Sequence, residues 1–413
     1  MTIHSKYKYQ CVDCGAIYPA GEVTYLCPSC SAANTDDTPP KGVLKVLYNY
    51  DELIEKQKDF NSLRQNGFLD LLPLKNLDSL PNLRVGKTPL YLQKMLHKKS
   101  LPFQIFLKDD SQNPTYSFKD RASNLVSAYA KENGIETIVA ASTGNAGSSL
   151  AGICAAQGQK AIILVPEAAP KAKLTQIVMY GATIVPVQGT YDDAFDLSIQ
   201  ATEEFGWYNR NTAFNPLTIE GKKTVSFELY EQLDYQIPDR IFVPVGDGVI
   251  ISGVYKGFED LLQLGIIKTM PCIVAVQSEG SNNLIANIQS DIFTVKPSHT
   301  LADSISVDIP RNYYMAVDFL KKYKGETLQV SDAAIIEAST VLSKHTGLFA
   351  EPAAATAYAG ILHYFKNNKI QPDSKNVVLL TGSGLKDLNA VQSKIQIPKA
   401  ITPTLDHLKN MVL

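Results

Sequence analysis

An α/β protein of two parallel-sheet domains with a small cysteine-held appendage is predicted, on three observations. From about residue 103, short apolar runs alternate with amphipathic stretches of 10 to 15 residues, the rhythm of strands joined by right-handed helical crossovers. Three glycine-rich turns, STGNAG, GDGVI and TGSG, each follow an apolar run directly. Four of the six cysteines crowd into the first 30 residues.

Size and charge are consistent with this. With 413 residues, 45% of them hydrophobic, the chain can bury more than one core. Lys and Arg total 39 against 41 for Asp and Glu, a formal charge of −2, with no basic run; this argues against nucleic acid or an anionic membrane as the main partner. No apolar stretch approaches the roughly 20 residues of a membrane helix, and MTIHSKYKYQ lacks the apolar core of a leader. A cytoplasmic protein is expected.

In chain order, YQCVDCGAIYPAGEVTYLCPSC comes first. Cys11 and Cys14 form one CxxC knuckle and Cys27 and Cys30 another, with twelve residues between the pairs. Two such knuckles can complete a tetrahedral sulfur site, so residues 1–36 are expected to be a ribbon around structural zinc, free thiols being the alternative. Four thiolates leave no open position, so such a metal would do no chemistry. Cys154 and Cys272 sit in apolar company and read as core. SAANTDDTPPKG reads as a linker and the tract from Asp51 to Leu72 as polar helix.

FQIFLKDD is then a short strand, DRASNLVSAYAKENG a helix closed by Gly134, and ETIVAAS a buried strand. Next come the helix GNAGSSLAGICAAQG, the strand KAIILVP, the helix KAKLTQIVMYG and the strand ATIVPVQG. The rhythm resumes with RIFVPVGDG, the helix VIISGVYKGFEDLLQLG, and the strands CIVAVQSEG and KNVVLLTGSG. Residues 91–208 are expected to form the smaller domain, and 37–90 with 209–413 the larger. Such sheets bind ligand at the carboxyl ends of their strands, here between the domains.

The chemistry-bearing residues sit at those ends. In SFKDRAS, Lys119 lies between the turn-like Asn113–Tyr116 and a helix, where its amine is placed to react. In STGNAG, Gly144 and Gly147 let backbone approach a ligand, free amides open the next helix, and Asn145 can give directional hydrogen bonds. In GDGVI, Gly246 to Ile250 repeat that grammar and suit a phosphate. Thr381 is the first polar residue of the third loop, TGSGLKD.

PTYSFKDR, STGN, EGKKT, VPVGDG, GLFAEPAAATAYAG and TGSGLKD occur in that order. Together they resemble the threonine synthase branch of the fold-type II pyridoxal phosphate enzymes, over roughly residues 85 to 390; the early CxxC pairs resemble the ribbon some of its members carry. The resemblance implies two three-layer domains of the tryptophan synthase beta kind with pyridoxal 5'-phosphate between them, and a homodimer. It makes Lys119 the lysine that carries the cofactor and moves protons. Asn145 would bond the cofactor's ring oxygen, while Ser142, Thr143 and Gly144 receive the substrate carboxylate. Gly246, Asp247, Gly248, Val249 and Ile250 would cradle the cofactor phosphate, and Thr381 would face the pyridine nitrogen. Asp120 and Arg121 read as anchors of the helix start. His299 and Glu351 read as structural residues.

The pattern departs in four places. The family's glycines before Ser117 and after Arg121 are Tyr116 and Ala122, and Asp247 stands in the phosphate loop, where it repels a dianion unless it points away or caps the turn. Where the family grips a substrate phosphate with asparagine, serine and arginine, this chain carries Thr212, Ala213 and Thr218; Arg210, Lys222 or Lys223 could compensate. The resemblance implies conversion of O-phosphohomoserine and water to threonine and phosphate. The missing arginine motivates the alternative, beta-elimination or beta-replacement on serine, threonine, O-phosphoserine or a related amino acid. A non-catalytic nucleotide module is disfavoured by the neutral charge and the lack of a GxGxxG or Walker pattern.

Overall fold

The structure, a computed structural model, describes residues 5–395 and 397–412; the first four residues of the stretch read for a leader lie outside the described residues. Strands β1 (Tyr7–Cys11), β2 (Ile17–Pro19) and β3 (Leu44–Tyr48) form an antiparallel sheet in the order β2-β1-β3. The ribbon therefore draws on chain beyond the expected boundary at residue 36. The cause is apolar alternation: Leu44, Val46 and Tyr48 bury beside Tyr7, Tyr9 and Cys11.

The tract expected as one polar helix is broken into helices Tyr50–Glu55 and Phe60–Gln65 and a single turn at Leu69–Leu71. Gln57 takes a left-handed φ of 51°, and Asp59 caps the second helix by accepting from Ser62 N at 2.8 Å.

The chain next makes β4 (Leu90–Leu96) and β5 (Lys99–Asp109) and leaves that sheet for β6 (Thr137–Ala141), β7 (Lys160–Pro166), β8 (Thr183–Val187) and β9 (Tyr208–Asn209). It then returns in β10 (Arg240–Pro244), β11 (Cys272–Ser278), β12 (Glu326–Val330) and β13 (Lys375–Leu380). The smaller sheet, β8-β7-β6-β9, is wholly parallel. The larger, β12-β11-β10-β13-β5-β4, is parallel except for the antiparallel hairpin of β4 and β5 at its edge.

That hairpin corrects the domain expectation, which places 91–109 with the smaller domain. β5 pairs with β13 from Gln104 opposite Lys375 to Asp109 opposite Leu380, and its Phe103, Ile105 and Leu107 join Val378 and Leu380 in the core of the larger domain. Strand β5 thus ends in the larger sheet, and the chain crosses to the smaller domain only at the turn before Lys119. The helices expected between the strands form at Lys119–Glu132, Asn145–Gln157, Lys171–Met179 and Val249–Gln263. No helix among the described residues is long and apolar enough to cross a membrane.

A buried ionic cluster holds the crossing. Arg121 pairs with Asp110 and Glu228 at 2.6 Å each, and Lys108 reaches Glu228 at 2.6 Å. Burial pushes the Glu228 carboxyl up, but Arg121 and Lys108 outweigh it and hold the group at about 2. Its folded value lies below its ordinary one of 4.5, so its stabilisation is complete above that pH and is lost as pH falls through the folded value. Removing one partner strands a buried charge: Asp110→Ala should lower unfolding free energy by about 3 kcal/mol or more. Denaturant titration checks this, and a cost below about 1 kcal/mol would show that the cluster is dispensable.

A candidate active site between the two sheets

The turn before Lys119 is built by its own residues. Tyr116 N donates to Asn113 O at 2.8 Å, and Asp120 accepts from Thr115 N at 2.7 Å and from the Thr115 hydroxyl. Tyr116 sits at φ 68°, which explains why the related pattern prefers glycine there. Asp120 and Arg121 are thus buried anchors of the helix start, as expected of them.

Just beyond the turn, the backbone zips onto the loop after β13. Ser117 bridges Gly382, Phe118 N donates to Thr381 O at 2.8 Å, and Ser383 N donates to Tyr116 O at 3.1 Å. Lys119 and Thr381 come from chain positions more than 260 residues apart, yet line one cavity. Asn145, Thr212, Gly246 to Ile251, Ser304 and Glu351 line it too. A wider cleft continues from it past Ser142, Thr143, Gly144, Arg210 and Asn211. Every residue expected at the site, from Lys119 through Ser142, Thr143, Gly144 and Asn145 to Gly246–Ile250 and Thr381, therefore lines these two joined spaces.

The loop Gly246–Ile250 carries the geometry of an anion seat. Gly248 holds φ 84° just before the helix Val249–Gln263, and a Cβ there would lie 2.9 Å from the Ala316 Cβ. At Gly246 a Cβ would come within 2.9 Å of the Ile305 Cα. The helix-opening amides thus meet the cavity with no side chain in between. Asp247 resolves its expected conflict by capping: its carboxylate accepts from Arg311 N at 3.2 Å and its carbonyl from Asn312 N at 2.9 Å.

Asn145 is held by the cavity's acid. Its amide donates to both oxygens of Glu351, at 3.1 and 2.9 Å, and to the Ser304 hydroxyl at 3.2 Å. Burial raises the Glu351 carboxyl, with Asn145 opposing. Glu351 thus belongs to the site, against its structural reading in the sequence, and Ser304 was not singled out at all. The signal was present for Glu351 inside GLFAEPAAATAYAG; nothing in SHTLADSI marks Ser304. His299 from the same stretch is exposed and lines neither space.

Buried cations set the electrostatics. Burial lowers the Lys119 amine, with Asp247 opposing and Arg210 adding to the effect. Lys222 is fully buried with no hydrogen-bond partner at Nζ, and is lowered well below the ordinary lysine value by burial and then by Lys119 and Arg210. Lys223, expected alike, differs: it pairs with Glu220 at 2.5 Å and Asp260 at 2.7 Å in the core. Of the two, only Lys222 is left without a partner.

At the other end of the chain, the Sγ atoms of Cys11, Cys14, Cys27 and Cys30 all lie within 4.8 Å of one another. Cys11 and Cys30 are 3.7 Å apart and Cys14 and Cys27 3.8 Å, so no disulfide joins them and the four sulfurs gather round one point.

The sequence profile of the family described as "Pyridoxal-phosphate dependent enzyme" matches residues 82–382. A threonine synthase from Methanocaldococcus jannaschii is 34% identical over 412 residues, 98% of each chain. One from Methanosarcina acetivorans is 31% identical over 415 aligned residues, again 98% of each. Among solved structures, threonine deaminase isoform 2 from Solanum lycopersicum shares the fold with a TM-score of 0.67 at 22% identity, covering 82% of this chain and 95% of its own. Maize serine racemase does so with a TM-score of 0.62 at 23% identity, covering 75% and 93%.

The strained Tyr116 gives a test of the turn. Tyr116→Gly should be neutral or stabilising by up to about 1 kcal/mol, because relief of the left-handed strain offsets glycine's extra unfolded-state entropy. An unfolding free energy that falls by more than about 1 kcal/mol would mean that the half-exposed ring, not the backbone, holds the turn.

Proposed function

Because this chain belongs to the pyridoxal-phosphate dependent enzymes and, among them, to the threonine synthases, we propose that it converts O-phosphohomoserine and water to threonine and phosphate. The observation that carries the reading is the single cavity where a burial-depressed lysine amine meets an uncovered helix N-terminus and a threonine hydroxyl. Those residues fit the cofactor: a reactive amine for its aldehyde, backbone amides freed by Gly246 and Gly248 for its phosphate, and a neutral hydroxyl for its ring nitrogen.

Bound there, pyridoxal 5'-phosphate supplies an electron sink that acidifies the hydrogens near the amino acid's α carbon. Lys119 would hold the cofactor, and its amine would take and return protons at the substrate's α and β carbons. Its depressed basicity leaves more of the amine neutral, as both roles require. Ser142, Thr143 and Gly144 orient the substrate carboxylate. Asn145 gives a hydrogen bond to the ring oxygen, for which its amide must share with Glu351 and Ser304. The Thr381 hydroxyl offers the ring nitrogen a neutral bond in place of a charge, which favours elimination and replacement over transamination. Gly246 to Ile250 seat the cofactor phosphate, with Asp247 turned to its capping role.

The ribbon is proposed to hold structural Zn2+. Tetrahedral thiolates at about 2.3 Å from a metal stand about 3.8 Å from each other, close to the separations of 3.7 Å for Cys11 and Cys30 and 3.8 Å for Cys14 and Cys27.

Borohydride reduction of the holoenzyme followed by peptide mass spectrometry should label Lys119, and Lys119→Ala should lose the label together with at least about 10³-fold in turnover. A label on any other lysine removes the reading. Purified enzyme given O-phosphohomoserine should release threonine and phosphate in equal amounts; ketoacid from serine or threonine instead would select the elimination alternative. Metal analysis should find about one zinc per chain, and a chelator should melt the ribbon. Full retention of the melting profile with no metal present would show the thiols to be free.

A further inference from the structure

We propose that Arg210, with Thr212 beside it, receives the phosphate of the substrate, in place of the arginine that the family pattern puts at position 218. This rests on the reading above of the substrate as a phosphorylated amino acid. Arg210 directly follows β9, its N donating to Val139 O at 2.8 Å, so its backbone is fixed to the end of the smaller sheet. Its side chain is fully buried. Nε donates to the Ser123 hydroxyl at 3.1 Å and Nη1 to the Thr212 hydroxyl at 3.2 Å, while Nη2 has no partner.

A buried guanidinium is costly unless a carboxylate or another anion meets it. Arg121, equally buried, has Asp110 and Glu228; Arg210 makes no ion pair among the described residues. Burial accordingly pushes it down to about 10, with Tyr191 and Asp120 opposing only in part. Lys222, in the next helix, likewise has a buried Nζ without a partner. An unmatched buried guanidinium lining the cleft describes a seat for an anion, and its planar fork with a free Nη2 can grip phosphate oxygens.

Position separates this seat from that of the cofactor phosphate. Arg210 lines the open cleft with Ser142, Thr143 and Lys119, and does not line the enclosed part around Gly246 to Ile251. Thr218, where the arginine is expected, is buried with its hydroxyl turned to Asn215 O at 2.8 Å and lines neither space. Thr212 lines both, between the two seats.

The holoenzymes of wild type, Arg210→Gln and Arg210→Lys separate the possibilities. Arg210→Gln should raise the KM for O-phosphohomoserine about thirtyfold or more, and calorimetry with inorganic phosphate should show a comparable weakening. Loss should be at least about tenfold larger for O-phosphohomoserine than for exchange of the α hydrogen of L-homoserine in deuterated water, which shares the carbon skeleton without the phosphate. Arg210→Lys, keeping the charge but not the fork, should fall between. Equal losses on the two amino acids, or unchanged phosphate affinity, would overturn the assignment. Should Arg210→Gln not fold, the phosphate affinities of Arg210→Lys and Thr212→Val decide, since both must fall. If the wild type forms no threonine, the proposed function fails, while phosphate calorimetry still decides the fate of Arg210.

Discussion

Two backbone hydrogen bonds, Phe118 N to Thr381 O and Ser383 N to Tyr116 O, fix the relation on which the site depends. They splice the turn that delivers the lysine onto the end of β13, a central strand of the larger sheet. Because the partners are main chain, the splice tolerates any side chain that can hold the required φ at Tyr116. It also explains why the chain crosses between domains here. β5 ends beside β13 at Asp109, the next nine residues make the crossing, and the helix from Lys119 then packs in the smaller domain. The amine is held at the seam of the two domains by the same contacts that make the seam.

Burial at that seam sorts the cations into two kinds. Arg121, Lys108, Lys223 and Lys256 each meet carboxylates, which offset the cost of burying their charge. Lys119, Arg210 and Lys222 meet none at ion-pair distance among the described residues. Asp247 is the main acid raising Lys119, and its carboxylate is engaged by the Arg311 amide. Glu351, the other acid close to Lys119, is pushed towards its neutral form. The surplus is positive, and the substrate and cofactor proposed for this cleft both bring phosphate. Electrostatics thus favours anions in the cleft, while burial and Arg210 lower the Lys119 amine.

Much of this was legible because glycine and periodicity leave local marks. The STGNAG, GDGVI and TGSG turns announce strand ends whatever lies elsewhere in the chain, and the helices after the first two begin where the turns end, at Asn145 and Val249. What the sequence hid was non-local. The membership of β5 depends on its pairing with β13, some 270 residues later, and local alternation cannot report a partner. The break at Gln57 is a left-handed residue with no glycine to mark it. Glu351 looked like a favourable first-turn carboxylate; only tertiary placement puts Asn145 within hydrogen-bond reach of it. Lys222 and Lys223 are neighbours of one type, yet helical geometry turns one to Glu220 and Asp260 and leaves the other unpaired.

The ribbon has its own connection to that charge pattern. Its last strand ends at Tyr48, whose hydroxyl donates to Glu220 at 2.5 Å, and Tyr50 donates to Asp260 at 2.6 Å. Glu220 lies two residues before Lys222, and Asp260 lies on the helix that opens at the GDGVI loop. Lys223 sits over the Tyr48 ring at 4.2 Å while bonding both acids. Unplugging the ribbon would therefore expose or unpair a buried cluster adjoining both the partnerless lysine and the helix beneath the phosphate loop. A metal closed by four thiolates could do no chemistry of its own, but by stiffening β1 to β3 it would hold one end of the buried network of Tyr48, Glu220, Lys223 and Asp260.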